Sequence, residues 1–293
     1  MTKIVTHDSS FHADDVFAVA VLLLVVTDAK IVRSRDQAEI DSADYVVDVG
    51  MIYDPSGNKF DHHQPGGAGE RTNGVPYASF GLVWKKFGEK LSGGKRQAEI
   101  IENKLVQAID GFDNGVATEK DLFKDVRSYT IGDFFNSYLT DQEDNPDDLY
   151  RIFLNNVEIA KGILGREIIR AKNEVEAENI FNELYEHSQD KRVIEVPKEN
   201  LGWLHIATKY PELLYIVYPR QNGTWGIKAV PDENKPHGYQ RKKLPVEWAG
   251  KRDEEFQKIT GVSDAIFAHK ALFTAGAKSR EGALKLAEIA LNS

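Results

Sequence analysis

The stretch NKFDHHQPGGAG, residues 58–69, decides how the chain is read. Phe60 is a short apolar approach, Asp61, His62 and His63 stand in a row behind it, and Gly66, Gly67 and Gly69 form a glycine-rich turn. A strand end that presents one carboxylate and two imidazoles offers hard oxygen and borderline nitrogen donors together. That is the ligand mix of a divalent transition-metal site. Three polar residues in a loop also make an ordinary solvated turn, so the metal reading needs ligands from elsewhere in the chain.

Upstream, residues 3–6 read as a short buried strand with His7 and Asp8 at its C-terminal end. A turn carrying His12, Asp14 and Asp15 follows, and then a helix over 16–26 that is apolar almost all round. Such a helix is buried on most faces, as in a layered α/β domain. Acidic residues at its N-terminus suit the helix dipole, but the dipole does not explain two histidines in the same loop. Residues 30–34 and 45–49 read as the second and third strands, and the third, YVVDVG, places Asp48 in an apolar run. A carboxylate buried there is expensive without a partner. In an open parallel sheet the strand C-termini share one edge, so loops distant in sequence converge.

Two helices are expected over 76–91 and 95–109, with Pro76 in a first helical turn. The second runs into IDGFDNG, where Asp110 and Asp113 are each able to supply a last ligand or to mark a helix stop. The candidate metal ligands are therefore His7, His12, Asp14, Asp48, Asp61, His62, Asp110 and Asp113. Asp48, the most buried in character, is the expected bridge between two cations about 3.5–4 Å apart. Mixed histidine and aspartate ligands favour Mn²⁺, with Mg²⁺ as the lesser alternative.

A chain of 293 residues is long for one core, and two domains are expected. Apolar residues at helical spacing over 149–187 predict one or two long connecting helices. The expected domains are 1–188, metal-binding and catalytic, and 189–293, smaller and substrate-binding. A net charge of −9 argues against a generic duplex nucleic-acid binder, though not against a short oligonucleotide held by bound metal. The absence of cysteine excludes disulfides, thiolate zinc sites and cysteine nucleophiles. The N-terminus MTKIVTHDSS has no basic segment followed by an apolar one, and the apolar run 16–26 is too short to span a bilayer. A soluble cytoplasmic protein without a membrane partner is expected, and a homodimer stays open.

In the last third, residues 192–196, 204–207, 213–218 and 225–230 read as strands, with Asn222-Gly223 as a hairpin turn. The stretches 121–148 and 231–245 are polar, the first with a short helix near 134–138 and the second containing His237. A helix within 248–259 and a strand over 265–268 lead to an amphipathic helix over 281–291, with Ser279 as N-cap. Gly276, Lys278 and Arg280 just before it suit a phosphate-binding role. A capped surface helix with solvated cations is the plain alternative.

The ordered set HDSSFHADD, VVDVG, FDHHQ and AIDGFDNG resembles the motifs of the DHH phosphoesterase superfamily. Its form THD…FHADD with FDHHQ, and the terminal SREGAL, resembles the melanocyte-proliferation-gene exonuclease family across nearly the whole chain. The resemblance implies an α/β fold: a parallel-sheet DHH-type domain carrying the metals, and a smaller C-terminal α/β domain, after a long helical connector, that grips substrate. It implies that His12 and Asp14 take the first-motif acidic positions, with His7 before them. Asp48 would bridge, His62 would ligate, and His63 would face substrate with Gly276, Lys278 and Arg280. His12 departs from the aspartate that many superfamily members carry there. The implied activity is a Mn²⁺-dependent phosphodiesterase. It is expected to be a 3′–5′ exonuclease on short single-stranded RNA, using a water activated by two metals, with Asp48 and His63 catalytic. Two alternatives stand beside it: a phosphohydrolase of pyrophosphate, a dinucleotide or a nucleoside bisphosphate, and a metal-binding module without catalysis.

Overall fold

The computed structural model describes residues 1–116, 123–139, 145–199, 202–235 and 238–293. Part of the polar stretch 121–148, and His237, lie outside the described residues. Helix α1 (Ala13–Val25) follows strand β1 (Thr2–Thr6) and leads to β2 (Ala29–Arg33). The short α2 (Gln37–Asp41) then leads to β3 (Tyr45–Val47). β1 pairs in parallel with β2 on one side and β3 on the other. β4 (Tyr53–Asp54) and β5 (Lys59–Phe60) complete a sheet of order β2-β1-β3-β5-β4, in which β5 is parallel to β3 and β4 is the antiparallel edge. The parallel-sheet core expected from the sequence is present. Every residue of α1 from Ala13 to Leu22 is buried, as the apolar run from Val16 requires, and the helix starts early enough to take Asp14 and Asp15 into the interior with it.

α3 (Ser79–Ser92) packs along α1. It begins three residues later than the sequence suggests, because Pro76 bridges Glu70 and Ala78 is still extended at φ −103° and ψ −179°. α4 (Lys95–Ile101) and α5 (Gln107–Asp113) flank a π-helical turn, Glu102–Val106, in place of the one uniform helix expected. α6 (Ile131–Asn136) starts at a Thr130 cap, and α7 (Pro146–His187) is a single helix of 42 residues.

The chain divides into two compact units within α7, Met1–Asn173 and Glu174–Ser293. The division falls inside the helix rather than at its end because Ala177 and Phe181 share a core with Ile194, Trp203 and Leu213 of the second unit. That unit holds β6 (Val193–Glu195), α8 (Gly202–Ala207), β7 (Tyr215–Pro219), β8 (Trp225–Ala229) and α9 (Asp253–Thr260). β9 (Ala265–Ala268), β10 (Thr274–Ala277) and α10 (Arg280–Asn292) follow. Its sheet runs β6-β7-β8-β10-β9, with β6 and β7 parallel and the other pairs antiparallel. Residues 204–207, expected as a strand, belong to α8. Trp203, Ile206 and Ala207 are its buried residues, a helical spacing that a short apolar run hides. The Asn222-Gly223 turn joins β7 and β8, with Gly223 at φ 79°. Ser279 caps α10, its hydroxyl accepting from the Gly282 amide at 3.0 Å.

Candidate metal centre

The site forms where β1, β3 and β5 end and where α1, α3 and α5 reach the same edge of the first unit. β1 leads directly into His7, which is buried, with Nδ1 2.9 Å from the Asp8 carbonyl and Nε2 left for the interior. β3 stops at Val47, and Asp48 turns into the left-handed region at φ 56° while its amide still donates to the Phe60 carbonyl at 3.0 Å. Aspartate tolerates that conformation better than most residues. The turn places the Asp48 carboxylate between two imidazoles. His7 Nε2 stands 3.3 Å from one oxygen and His62 Nε2 3.3 Å from the other. Ser79, the first residue of α3, donates its hydroxyl to Asp48 at 3.0 Å and its amide to Asp14 at 3.3 Å.

Three overlapping groups each bring their donor atoms within 4.8 Å of one another: His7, His12 and Asp48; Asp48, His62 and His63; and His12, Asp14 and Asp113. Asp113 lies 3.1 Å from His62 Nε2 and 3.8 Å from His12 Nδ1. Two residues expected as ligands stand apart from these groups. Asp110 turns away, accepting from Arg71 at 2.7 Å and from the Gly81 amide at 3.0 Å. A Cβ at Gly81 would collide with that carboxylate, so glycine is what lets α3 approach the ion pair. Asp61 commits one oxygen to the Met51 amide at 2.6 Å and the other to His63, whose amide and Nδ1 stand at 3.1 and 2.8 Å. It therefore holds His63, fixing the proton on Nδ1 and leaving Nε2 as the open nitrogen.

Asp15 is a residue the motif reading passes over. One of its oxygens accepts from the His12 amide at 2.8 Å and the other lies 3.4 Å from His7 Nε2. Only its place one residue after Asp14 hints at this. In the second unit, Arg280 is engaged by Glu195 through two contacts of 2.6 Å. The Lys278 amide donates to the Asp264 carbonyl. Gly276 sits in β10 where a Cβ would stand 2.9 Å from Arg220 and 3.1 Å from Phe267, so its small size serves their packing.

Electrostatics test whether the residues suit a cation. Burial pushes the Asp14 carboxyl well above the usual range, and the charges of Asp48 and Asp113 add to the effect. Burial raises Asp15 to about 7 against the pull of His7. Burial also opposes the ionised form of Asp48, but His62 and His7 outweigh it and hold Asp48 below the usual range. His62, lowered by burial and raised more strongly by Asp113 and Asp48, lies at about 10. Asp14 Oδ1, Asp15 Oδ2 and His62 Nε2 are buried without a hydrogen bond. Orphaned acceptors among mutually repelling carboxylates are what a bound divalent cation satisfies, and the donor set fits one.

A pH dependence follows. Asp14 and Asp15 are raised, so each favours the native state fully below about pH 4; the Asp15 contribution is lost as pH rises through about 7, and the Asp14 contribution is likewise lost as its carboxyl ionises. The raised His62 acts in the same direction between its ordinary 6.5 and about 10. Without divalent cation the melting temperature is expected to fall between pH 5 and pH 8. With Mn²⁺ in excess the stabilisation grows with pH, because the cation takes only deprotonated ligands. Thermal melts at both pH values, with Mn²⁺ and with chelator, check this; a cation-induced shift of equal size at both would contradict it.

Carboxylates and imidazoles gathered at the C-terminal edge of a parallel sheet are a donor set suited to a divalent cation and to metal-assisted hydrolysis. The family model described as Uncharacterised protein family (UPF0160), the MYG1 exonuclease model, matches residues 3–291, and the chain belongs to that family. It is 30% identical to the human MYG1 exonuclease over 324 residues, covering 99% of the chain and 85% of that protein. It is 32% identical to the MYG1 protein of Dictyostelium discoideum over 321 residues, covering 99% and 96%. Among solved structures, RecJ from Thermus thermophilus in complex with Mn²⁺ aligns at 13% identity and a TM-score of 0.30, covering 99% of the chain. The chain spans about half the length of RecJ, 52%, and a likeness this low carries no detail across. No helix among the described residues is long and apolar enough to cross a membrane.

Proposed function

We propose that the chain is a Mn²⁺-dependent phosphodiesterase, a 3′–5′ exonuclease that trims short single-stranded RNA in the cytoplasm. Support comes above all from Asp48, whose two oxygens each stand 3.3 Å from a different buried histidine. The name exonuclease carried by the human relative points the same way. In this reading His7, His12, Asp14, Asp48, His62 and Asp113 are the residues that would hold the divalent cations. When bound, such cations supply Lewis acidity at the phosphoryl oxygens and a water of lowered pKa. Asp61 and Ser79 are positioning residues. Asp61 accepts from His63 Nδ1 and so turns Nε2 away from that carboxylate, where the imidazolium form of the ring would donate to a non-bridging phosphate oxygen, and Ser79 steadies Asp48 and Asp14 together.

In this reading Lys278 and Arg280 are the residues that would neutralise substrate phosphate. Arg280 must leave Glu195 to do so, which makes Lys278 the larger contributor. The test is a substrate panel with Mn²⁺ or Mg²⁺: oligoribonucleotides of graded length, matching deoxyribonucleotides, dinucleotides and pyrophosphate. Release of nucleoside monophosphates from the 3′ end of short RNA, faster with Mn²⁺, is the expected result. Preferred hydrolysis of pyrophosphate would establish the small-substrate alternative instead. Mn²⁺ binding with no ester cleaved would leave a metal-binding module.

A further inference from the structure

We propose that the first unit carries a nucleobase subsite, a cavity of about 640 Å³ whose floor is formed by His12, Asp14 and Asp113. The inference rests on the phosphoesterase reading above and names where that site would hold the base of its substrate. One wall is a helical stripe. Leu105 in the π-helical turn, then Ala108, Ile109 and Phe112 in α5, recur at the spacing of a single helix face. An apolar stripe of this kind normally packs against protein, yet Phe112 is 61% exposed. Tyr129, 69% exposed, and Ile131 also line the cavity. Ser128 and Asn136 add hydrogen-bonding groups to the lining.

The chemistry of the occupant follows from this division. The floor is one of the three candidate ligand groups, so it suits a molecule that ends in anionic oxygen and meets it through bound cation. The walls suit a flat, weakly polar body. Arg127 is already engaged by both oxygens of Asp133, at 2.8 Å each, so this lining arginine is not set to receive a second phosphate. Pyrophosphate would leave the apolar walls empty. A nucleotide unit matches both halves: its phosphate at the floor and its base against Phe112 and Tyr129. The volume lies within the range of about 300–1,000 Å³ usual for small-ligand pockets. Stacking on aromatic rings tolerates every base, so the subsite predicts a need for a base without a strong preference among bases.

The test reads binding as well as turnover. 2-Aminopurine riboside, whose fluorescence is quenched on stacking, is titrated into the chelator-treated full-length protein. Saturable quenching is expected, weakened roughly 5- to 100-fold in Phe112→Ala and in Tyr129→Ala. Both side chains are exposed, so the variants are expected to fold, which circular dichroism verifies. With Mn²⁺, the ratio of kcat/KM for a ribodinucleotide to that for its abasic counterpart is expected to fall towards one in the variants. Unchanged quenching in both variants together with an unchanged ratio would overturn the subsite. So would octyl phosphate competing better than adenosine monophosphate, which would assign the cavity to an aliphatic chain. If riboside binding depends on the two aromatics while no phosphate ester is cleaved, the subsite stands and the phosphoesterase reading fails.

Discussion

Asp48→Asn is expected to lower Mn²⁺-dependent phosphodiester hydrolysis by about 10³-fold or more, since several kcal/mol of transition-state stabilisation would go with the cations that Asp48 is proposed to hold. The substitution is nearly isosteric. The Ser79 hydroxyl, 3.0 Å from an Asp48 oxygen, still finds an acceptor in the amide, and the apolar core under the sheet, built on α1 and α3, is untouched. What disappears is the one charge placed against both His7 and His62. Circular dichroism and a cooperative melt are expected to show a folded protein, while Mn²⁺ no longer raises its melting temperature. Activity within tenfold of the parent would mean that the carboxylate does not hold the catalytic metals.

Asp110→Ala is expected to act oppositely, costing about 3–5 kcal/mol of stability, the usual penalty for stripping a buried charge of its partner. Asp110 is wholly buried against Arg71, which also reaches Glu102 and the Pro76 carbonyl, so the arginine would lose its innermost anion. Asp113, one helical turn further on and half-buried, pairs with His62 but also repels Asp14, so Asp113→Ala is expected to cost less stability than Asp110→Ala. Its loss is expected to weaken Mn²⁺ binding instead. Urea unfolding of both variants without metal, followed by Mn²⁺ titration, separates the two roles. Equal destabilisation by both would show that the two aspartates are not divided as described.

The Asp110–Asp113 pair illustrates what a sequence withholds. Both lie in one polar loop signature, and both suit a ligand. What separates them is Arg71, 39 residues from Asp110 in the chain, and no local pattern reports that partner. Asp61 stands apart from the three candidate ligand groups for a similar reason. Its oxygens are taken by the Met51 amide and by His63, and a bend that aims an amide at a carboxylate leaves no mark in residue types. The legible parts are those where pattern and physics coincide. An all-apolar segment after a short strand has to be a buried helix, and glycines beside adjacent histidines mark a tight, ligand-rich loop. His7, His12, Asp14, Asp48, His62 and His63 are visible because polar residues at apolar strand ends are costly unless something pairs with them.

The second unit is harder to read. β10, TAGA, is short, small and glycine-containing, and glycine weakens any strand signal. The 204–207 segment reads as a strand because apolar runs of that length look alike in either state. The π-helical turn Glu102–Val106 has no sequence signature in this chain, although Leu105 within it lines the cavity beside the candidate metal centre.

The most direct measurement is anomalous diffraction at the manganese edge from crystals soaked in Mn²⁺. Two peaks about 3.5–4 Å apart are predicted, one against His7 and one against His62, both within coordination distance of Asp48, with neither Asp61 nor Asp110 touching either. Crystals that take up Mn²⁺ elsewhere, with no density near Asp48, would contradict the two-cation centre.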